Sequence, residues 1–384
     1  MHERALSRRS FLTFLVSVPV LVTLPSGLVV AARIRVAALR HWPDPEKTRL
    51  VVDLDGAARF ETRVLRNPHR IVLEIAAAEL RGSIDRTFTN DPYVQGVGAR
   101  QKDGVVELVI ELARASELNA FPLPPNEVGR GHRIVIDVAP RLTADEEARK
   151  QAEIVEVRES GDRVVAIDPG HGGEDPGTVW GTSLEEKAIA LDVARLLAKQ
   201  LGRANGLRPI LTRSGDYFVP LQKRQEIARQ YGAQLFLSLH VNAARSRQAR
   251  GAEIFFLSLK GAADRAAREL VDRENAADLV GGVPPDQVNA PIVDILMDMT
   301  RNHTMKDSER LATLLLQRLS GVRGGAVRGV KQGPLAVLKS IDKPSVLIEL
   351  GFFTNSTDRK LLADPRAHRQ YAKQLANGIA DYLS

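Results

Sequence analysis

One stretch constrains the fold more than any other. Val164-Val165-Ala166-Ile167 runs without a break into Asp168-Pro169-Gly170-His171-Gly172-Gly173. Four apolar residues in a row, mostly β-branched, offer no polar face to water and suit a parallel strand covered on both sides. Pro169 and the three glycines then end the strand in a tight turn, where glycine lets the backbone come close to whatever His171 holds. From Arg163 onward the same alternation continues. Strands are expected at 163–168, 208–212, 235–240, 252–257, 335–338 and 345–350, and helices at 185–203, 221–231, 262–280, 307–320 and 366–383. Such alternation implies an α/β domain with a mostly parallel twisted sheet and helices on both faces.

The chemistry-bearing residues fall at the ends of these elements. His171 follows the first strand, and His240 ends the apolar run Leu235-Phe236-Leu237-Ser238-Leu239. Glu185-Glu186-Lys187 opens the helical pattern between them. Two imidazoles at strand ends and a carboxylate at a helix start can hold zinc and leave one position open, as a catalytic site requires. The chain has no cysteine, so thiolate ligands are excluded and nitrogen and oxygen donors make zinc the default. Each residue has a plainer reading: a satisfied loop histidine for His171, and a helix-start carboxylate for Glu186, with Glu185 beside it as a rival. Glu349 lies within Val346-Leu347-Ile348-Glu349-Leu350-Gly351-Phe352. A carboxylate inside a hydrophobic strand is costly unless paired, for example with Arg213, or used.

The segments Asp168-Pro169-Gly170-His171-Gly172-Gly173, Glu186-Lys187, Ser238-Leu239-His240-Val241-Asn242-Ala243 and Leu347-Ile348-Glu349-Leu350-Gly351-Phe352 occur in this order. Together they resemble the catalytic domain of the zinc-dependent N-acetylmuramoyl-L-alanine amidases of bacterial cell division, over 163–384. The resemblance implies one zinc on His171, Glu186 and His240, and Glu349 as the catalytic acid–base. It also implies hydrolysis of the bond between N-acetylmuramic acid and L-alanine in peptidoglycan, for septal wall splitting. A zinc carboxypeptidase acting on wall peptides, or a non-catalytic wall-binding adaptor, are the alternatives.

Residues 33–140 are rich in strand signals, such as Leu50-Val51-Val52-Asp53-Leu54, Val105 to Leu112 and Arg133 to Val138, separated by turn-formers and with no helical run between them. A small all-β sandwich is expected there. It resembles the AMIN domain, which implies peptidoglycan targeting. Residues 141–162 are charged and read as a linker with one helical turn or two. Residues 1–32 begin with Arg4, Arg8 and Arg9 and continue into an apolar run interrupted by Pro19, Pro25 and Gly27, as in an export signal. Ser7-Arg8-Arg9-Ser10-Phe11-Leu12 resembles the twin-arginine type, which implies a periplasmic protein without a membrane span in its mature form. The net charge of +7 is spread along the chain, without a basic run interleaved with aromatics, and gives no footprint for nucleic acid.

Between the strand at 252–257 and the helix near 307 lie about fifty residues, long for such a connection. The insertion, 261–306, begins with a helical pattern from Ala262 to Val280 that ends in Gly281-Gly282. It resembles the autoinhibitory helix of the division amidases, in which a Glu blocks the zinc; Glu274 is the expected blocker and Glu269 the second candidate. Asp264, Glu269 and Glu274 could equally form a solvated face. The apolar stretch that follows, with Ile292, Ile295, Leu296 and Met299, reads as core packing or, by resemblance, as the docking site for a LytM-type activator.

Overall fold

The computed structural model describes residues 33–384 apart from 127–128, 259, 285–287, 289–297 and 340–341; for 298–302 it describes the backbone alone. The expected activator-docking residues Ile292, Ile295 and Leu296 lie outside the described residues. Met299 falls in the first turn of a helix, without a described side chain.

The first part is β throughout: β1 (Ile34–Pro43), β2 (Thr48–Leu54), β3 (Phe60–Arg66), β4 (His69–Ile75), β5 (Ala78–Leu80), β6 (Arg86–Thr87), β7 (Val94–Lys102), β8 (Val105–Leu112), β9 (Ser116–Leu123) and β10 (His132–Pro140). Among the described residues these form two sheets, ordered β5-β1-β2-β10-β9 and β3-β4-β8-β7-β6. The inner faces share one core: Leu50, Val52, Ile134 and Ile136 meet Ile71, Leu73, Val106, Leu108 and Ile110. β8 alternates between buried and more exposed positions, as a strand with one covered face should. β2 and β10 do not alternate. Val51 and Val135 point outward yet are fully buried, in a second small cluster with Leu123. This sheet is therefore covered on its outer face too.

The stretch expected to be a linker is instead a sixteen-residue helix, α1 (Ala144–Glu159). Thr143 and Glu146 form a reciprocal capping box at its start, which satisfies orphan amides and stabilises a helix that composition alone makes look like spacer. Ile154 and Val157 anchor it.

The second part contains β11 (Arg163–Pro169), β12 (Val179–Trp180), β13 (Leu184–Glu185), α2 (Glu186–Leu201), β14 (Leu207–Leu211), α3 (Leu221–Gln230), β15 (Leu235–Asn242), β16 (Ala252–Leu257), α4 (Arg265–Asn275), α5 (Ala277–Val280), α6 (Asp298–Leu319), β17 (Val327–Gly333), β18 (Ser345–Phe352), α7 (Ser356–Leu362) and α8 (Pro365–Leu383). The main sheet runs β14-β11-β15-β18-β16-β17. Its neighbours pair in parallel except β16 and β18. One face packs on α2, α6 and α8 through Val193, Leu197, Leu311, Leu315, Leu375 and Ile379. The other packs on α3 and α4 through Ala228, Ala267, Leu270 and Val271. The expected α/β layering is thus observed.

Three expectations shift. The strand expected at 335–338 is a single 3₁₀ turn, Ala336–Leu338. The edge strand is β17, whose glycines and basic residues hide it from pattern reading but suit an edge. The helix expected over 262–280 breaks at Ala276 into α4 and α5.

Candidate metal centre

β11 ends in the glycine-rich turn and sets His171 at a positive φ of 58°, a strained backbone for a residue with a side chain. Two buried arginines hold that turn by its carbonyls. Arg213 donates to Pro169 O (2.9 Å) and Gly170 O (2.7 Å). Arg224 donates to Pro169 O (2.7 Å) and His171 O (2.9 Å), and pairs with Asp168 (2.8 Å). Arg213 is therefore occupied with the turn and is not the partner of Glu349. Glycine is required at two points for room: a Cβ on Gly170 would lie 2.3 Å from the His240 ring, and one on Gly177 would lie 2.5 Å from the ring of His171.

Four ligand-type side chains converge. One donor atom from each of His171, Glu186, His240 and Glu274 falls within 4.8 Å of the other three, and all four residues are buried. Glu186 Oε1 is 3.1 Å from His171 Nε2 and 3.0 Å from His240 Nδ1. Glu274 Oε2 is 3.3 Å and 3.1 Å from the same two nitrogens. Glu186 is further fixed by the amides of Val241 (2.8 Å) and Thr178 (2.7 Å). Glu185 turns away, half-exposed, towards Lys187. Glu269 pairs with Arg265 on the open side of α4 with 40% of its side chain exposed. The geometry therefore favours Glu186 over Glu185 and Glu274 over Glu269.

The two rings face the centre with different nitrogens, and their outer partners explain why. His171 Nδ1 lies 2.7 Å from Asp175 Oδ2, so that nitrogen carries the proton and Nε2 is free for the centre. Ser238 Oγ donates to Asp168 Oδ2 (2.7 Å) and so must accept from His240 Nε2 (3.1 Å). That arrangement leaves Nδ1 of His240 directed inward. Asp175, Ser238 and Asp168 had no assigned role in the sequence reading. The signal for Asp175 is a carboxylate four residues beyond the histidine; the path from His240 to Asp168 joins two strands and has no local signature.

Burial lowers the basicity of both rings, but the carboxylates around them prevail. His171 is raised well above its usual value by Asp175, Glu186 and Glu274, and His240 is raised to about 9 by Glu274 and Glu186. Glu274 is opposed by burial but held well below the carboxylate range by the two histidines.

Glu349 sits on β18 directly beside His240 in the parallel register, so the two side chains leave the sheet on the same face. It is fully buried, and neither carboxylate oxygen has a hydrogen-bond partner. Burial, then the charges of Glu186 and Glu274, raise it well above the ordinary carboxylate range. It is not among the four converging ligands.

Fold and site together define an α/β domain with a His-Glu-His centre and an unpartnered buried acid beside it, preceded by a β-sandwich. The Amidase_3 family, N-acetylmuramoyl-L-alanine amidase, matches residues 165–381, and the AMIN domain matches residues 38–139. The chain is 33% identical over 391 residues to the N-acetylmuramoyl-L-alanine amidase AmiC of Neisseria meningitidis serogroup B, covering 94% of this chain and 93% of that one. It is 31% identical over 386 residues to an AmiC of Escherichia coli, covering 94% and 92%. It is 37% identical over 226 residues to AmiA of Escherichia coli, covering 59% and 78%. The chain belongs to the N-acetylmuramoyl-L-alanine amidase family, with an AMIN domain ahead of the catalytic one. That membership selects an amidase over the carboxypeptidase and the adaptor.

Proposed function

We propose that this amidase hydrolyses the amide between N-acetylmuramic acid and L-alanine of peptidoglycan at a zinc centre held by His171, Glu186 and His240, during septal wall splitting in the periplasm. One observation carries the zinc reading: the inward convergence of His171 Nε2, His240 Nδ1 and Glu186 Oε1 in a buried pocket. The donor set fits the ion, because two neutral imidazole nitrogens and a carboxylate match its preferences, and His171 Nε2 is buried without a hydrogen-bond partner. Bound zinc would supply Lewis acidity to the scissile carbonyl and a positive charge that favours ionised Glu349.

Glu349 takes the proton of the attacking water on one of its free oxygens and returns it to the leaving nitrogen of L-alanine. Its two oxygens are buried without a hydrogen-bond partner, so either is free to take a proton and pass it on.

Glu274 fills the fourth position in the resting enzyme. Its helix is no loose flap, because Leu270 and Val271 are buried against the sheet. Exposing those two side chains costs about 3–6 kcal/mol. Arg273 also bonds Asn242 and Ala243, Asn275 bonds Pro334 and Ala336, and Asp278 caps Leu221. A segment held this firmly calls for an activator, for which a LytM-type protein is the proposed partner. The AMIN domain is the proposed wall-targeting module, and residues 1–32 the twin-arginine export signal. Among the described residues no helix is long and apolar enough to cross a membrane.

The test is digestion of purified peptidoglycan with mass spectrometry of the products. Release of intact stem peptides beginning with L-alanine is expected, to be lost with a chelator and restored by zinc. Removal of one terminal residue from the peptide would overturn the amidase reading. Glu274→Ala should raise the basal rate and Glu269→Ala should not; equal rates for both would remove Glu274 from the blocking role.

A further inference from the structure

The outer face of the first sandwich sheet lies over the metal centre's own loop. Arg133 Nη1 reaches Glu174 Oε1 at 2.6 Å and Arg40 Nη2 reaches the same atom at 3.2 Å. Glu174 is fully buried and stands three residues after His171. Arg49, beside them on β2, has its Nε and Nη2 fixed by the two oxygens of Asp137 on β10 at 2.6 and 2.7 Å. Its remaining nitrogen, Nη1, donates to Gly281 O at 2.7 Å and Gly282 O at 3.3 Å. Those two glycines end the segment that carries Glu274. At Gly282, where φ is +76°, a Cβ would lie 3.0 Å from Glu174 Oε2, 3.2 Å from Arg49 Nη1 and 3.3 Å from Leu123 Cδ1. The sandwich, the metal loop and the end of the closing segment therefore meet at one point, where a methyl group would force its neighbours to shift.

We propose that the β-sandwich has a second function: it clamps the closing segment onto the metal centre, with Arg49 as the latch. The proposal rests on the reading of Glu274 as the blocking residue. Arg49 cannot follow the segment outward, because Asp137 holds two of its three nitrogens and Asp137 sits in a strand buried on both faces. Lifting Glu274 away thus requires the carbonyls of Gly281 and Gly282 to leave a charged donor. By reciprocity, whatever shifts the sandwich off the catalytic domain loosens the closing segment, and whatever lifts the segment loosens the sandwich. Engagement of the sandwich by the wall and opening of the centre become two sides of one equilibrium.

The test compares Arg49→Lys, Glu274→Ala and their combination in the full chain. Arg49→Lys keeps the charge beside Asp137 but lacks the fork that serves three acceptors at once. Initial rates are read on a soluble muropeptide, so that affinity of the sandwich for intact wall does not enter. Amide exchange is followed at Gly281 and Val283, whose N–H groups bond Ala277 O and Asp278 O, with the strand Val105–Leu112 of the other sheet as the reference for an intact fold. Arg49→Lys should raise the basal rate about tenfold, as expected for losing one hydrogen bond to a charged donor. It should also speed exchange at 281 and 283, and add nothing to the rate of Glu274→Ala. A faster Glu274→Ala with unchanged rate and exchange in Arg49→Lys overturns the clamp and leaves the blocking residue standing. Faster exchange in Arg49→Lys with no rate gain in Glu274→Ala overturns both, since the segment would be held without inhibiting. If Arg49→Lys disturbs the reference strand, Gly282→Ala strains the same junction from the other side and is judged by the same readouts.

Discussion

Two of the buried clusters of charge among the described residues differ in how they are balanced. At the contact between the sandwich and the metal loop, each acid is met by a guanidinium: Glu174 by Arg133 and Arg40, Asp137 by Arg49. Burial would raise Asp137, but Arg49 and Lys47 bring it below its usual value. In the centre the pairing is uneven. Glu186 and Glu274 share two rings, Arg273 Nε also pairs with Glu274 Oε1 at 3.1 Å, and Glu349 has no hydrogen-bond partner on either oxygen. The first cluster joins each acid to a guanidinium and fixes the position of one domain on another. The second leaves one buried acid without a hydrogen bond, poised to move a proton. Acids met by guanidinium groups give structure; an acid left without any partner gives chemistry.

The largest expected effect tests that contrast at Glu349. Glu349→Gln should cut the rate by about 10²–10⁴-fold, the usual contribution of a general acid–base. Zinc content measured by mass spectrometry should be unchanged. A variant that keeps its rate would make Glu349 a structural acid like Glu174. At the first cluster the reverse holds. Arg133→Met alone should lower unfolding free energy by about 3–5 kcal/mol, because it leaves Glu174 buried with a weaker partner. Arg133→Met with Glu174→Gln should recover much of that loss in denaturant titrations. No comparable recovery is expected in the centre, where both members of a pair also serve the metal.

A smaller effect is expected from the outer partners of the rings. Ser238→Ala or Asp175→Asn should weaken zinc retention about 10–100-fold in competition with a chelator, through loss of ring orientation and not of a ligand. The smallest effect is one of pH on the chelated protein. The folded value of His240 is raised from 6.5 to about 9. Its contribution to stability is therefore complete below about pH 6.5 and fades as pH rises to about 9. Glu186 and Glu274 are held low and stay ionised across that window, so they do not offset it, and Glu349, raised well above its usual range, shifts stability in the same direction. The melting temperature of the chelated protein should fall over this interval, and a flat profile would show that the rings are not held by Glu186 and Glu274.

Much of this protein was legible in its sequence because it depends on local patterns. Apolar runs ending in Pro-Gly or His mark β11 and β15, and a helix opening on Glu-Lys marks α2, so His171, Glu186 and His240 could be named together. Glu349 is visible as an acid within the otherwise apolar run from Val346 to Phe352. Glu274 was preferred over Glu269 by resemblance, and helix packing gives the reason, since only one side of α4 faces the sheet. What the sequence concealed were contacts made across long separations. The helix at 144–159 looked like a spacer because its anchors are few. β17 carries no apolar alternation because it is an edge strand.

The sequence by itself determined which residues could bind a metal and on which elements they stand. Only the tertiary structure decided which nitrogen of each ring faces inward, that Asp175 and the pair Ser238–Asp168 set that choice, and that Arg49 reaches the end of the closing segment. The physical reason is one of range: strand and helix periods are written within a few residues, whereas a hydrogen bond between residues 49 and 281 exists only after two domains have packed.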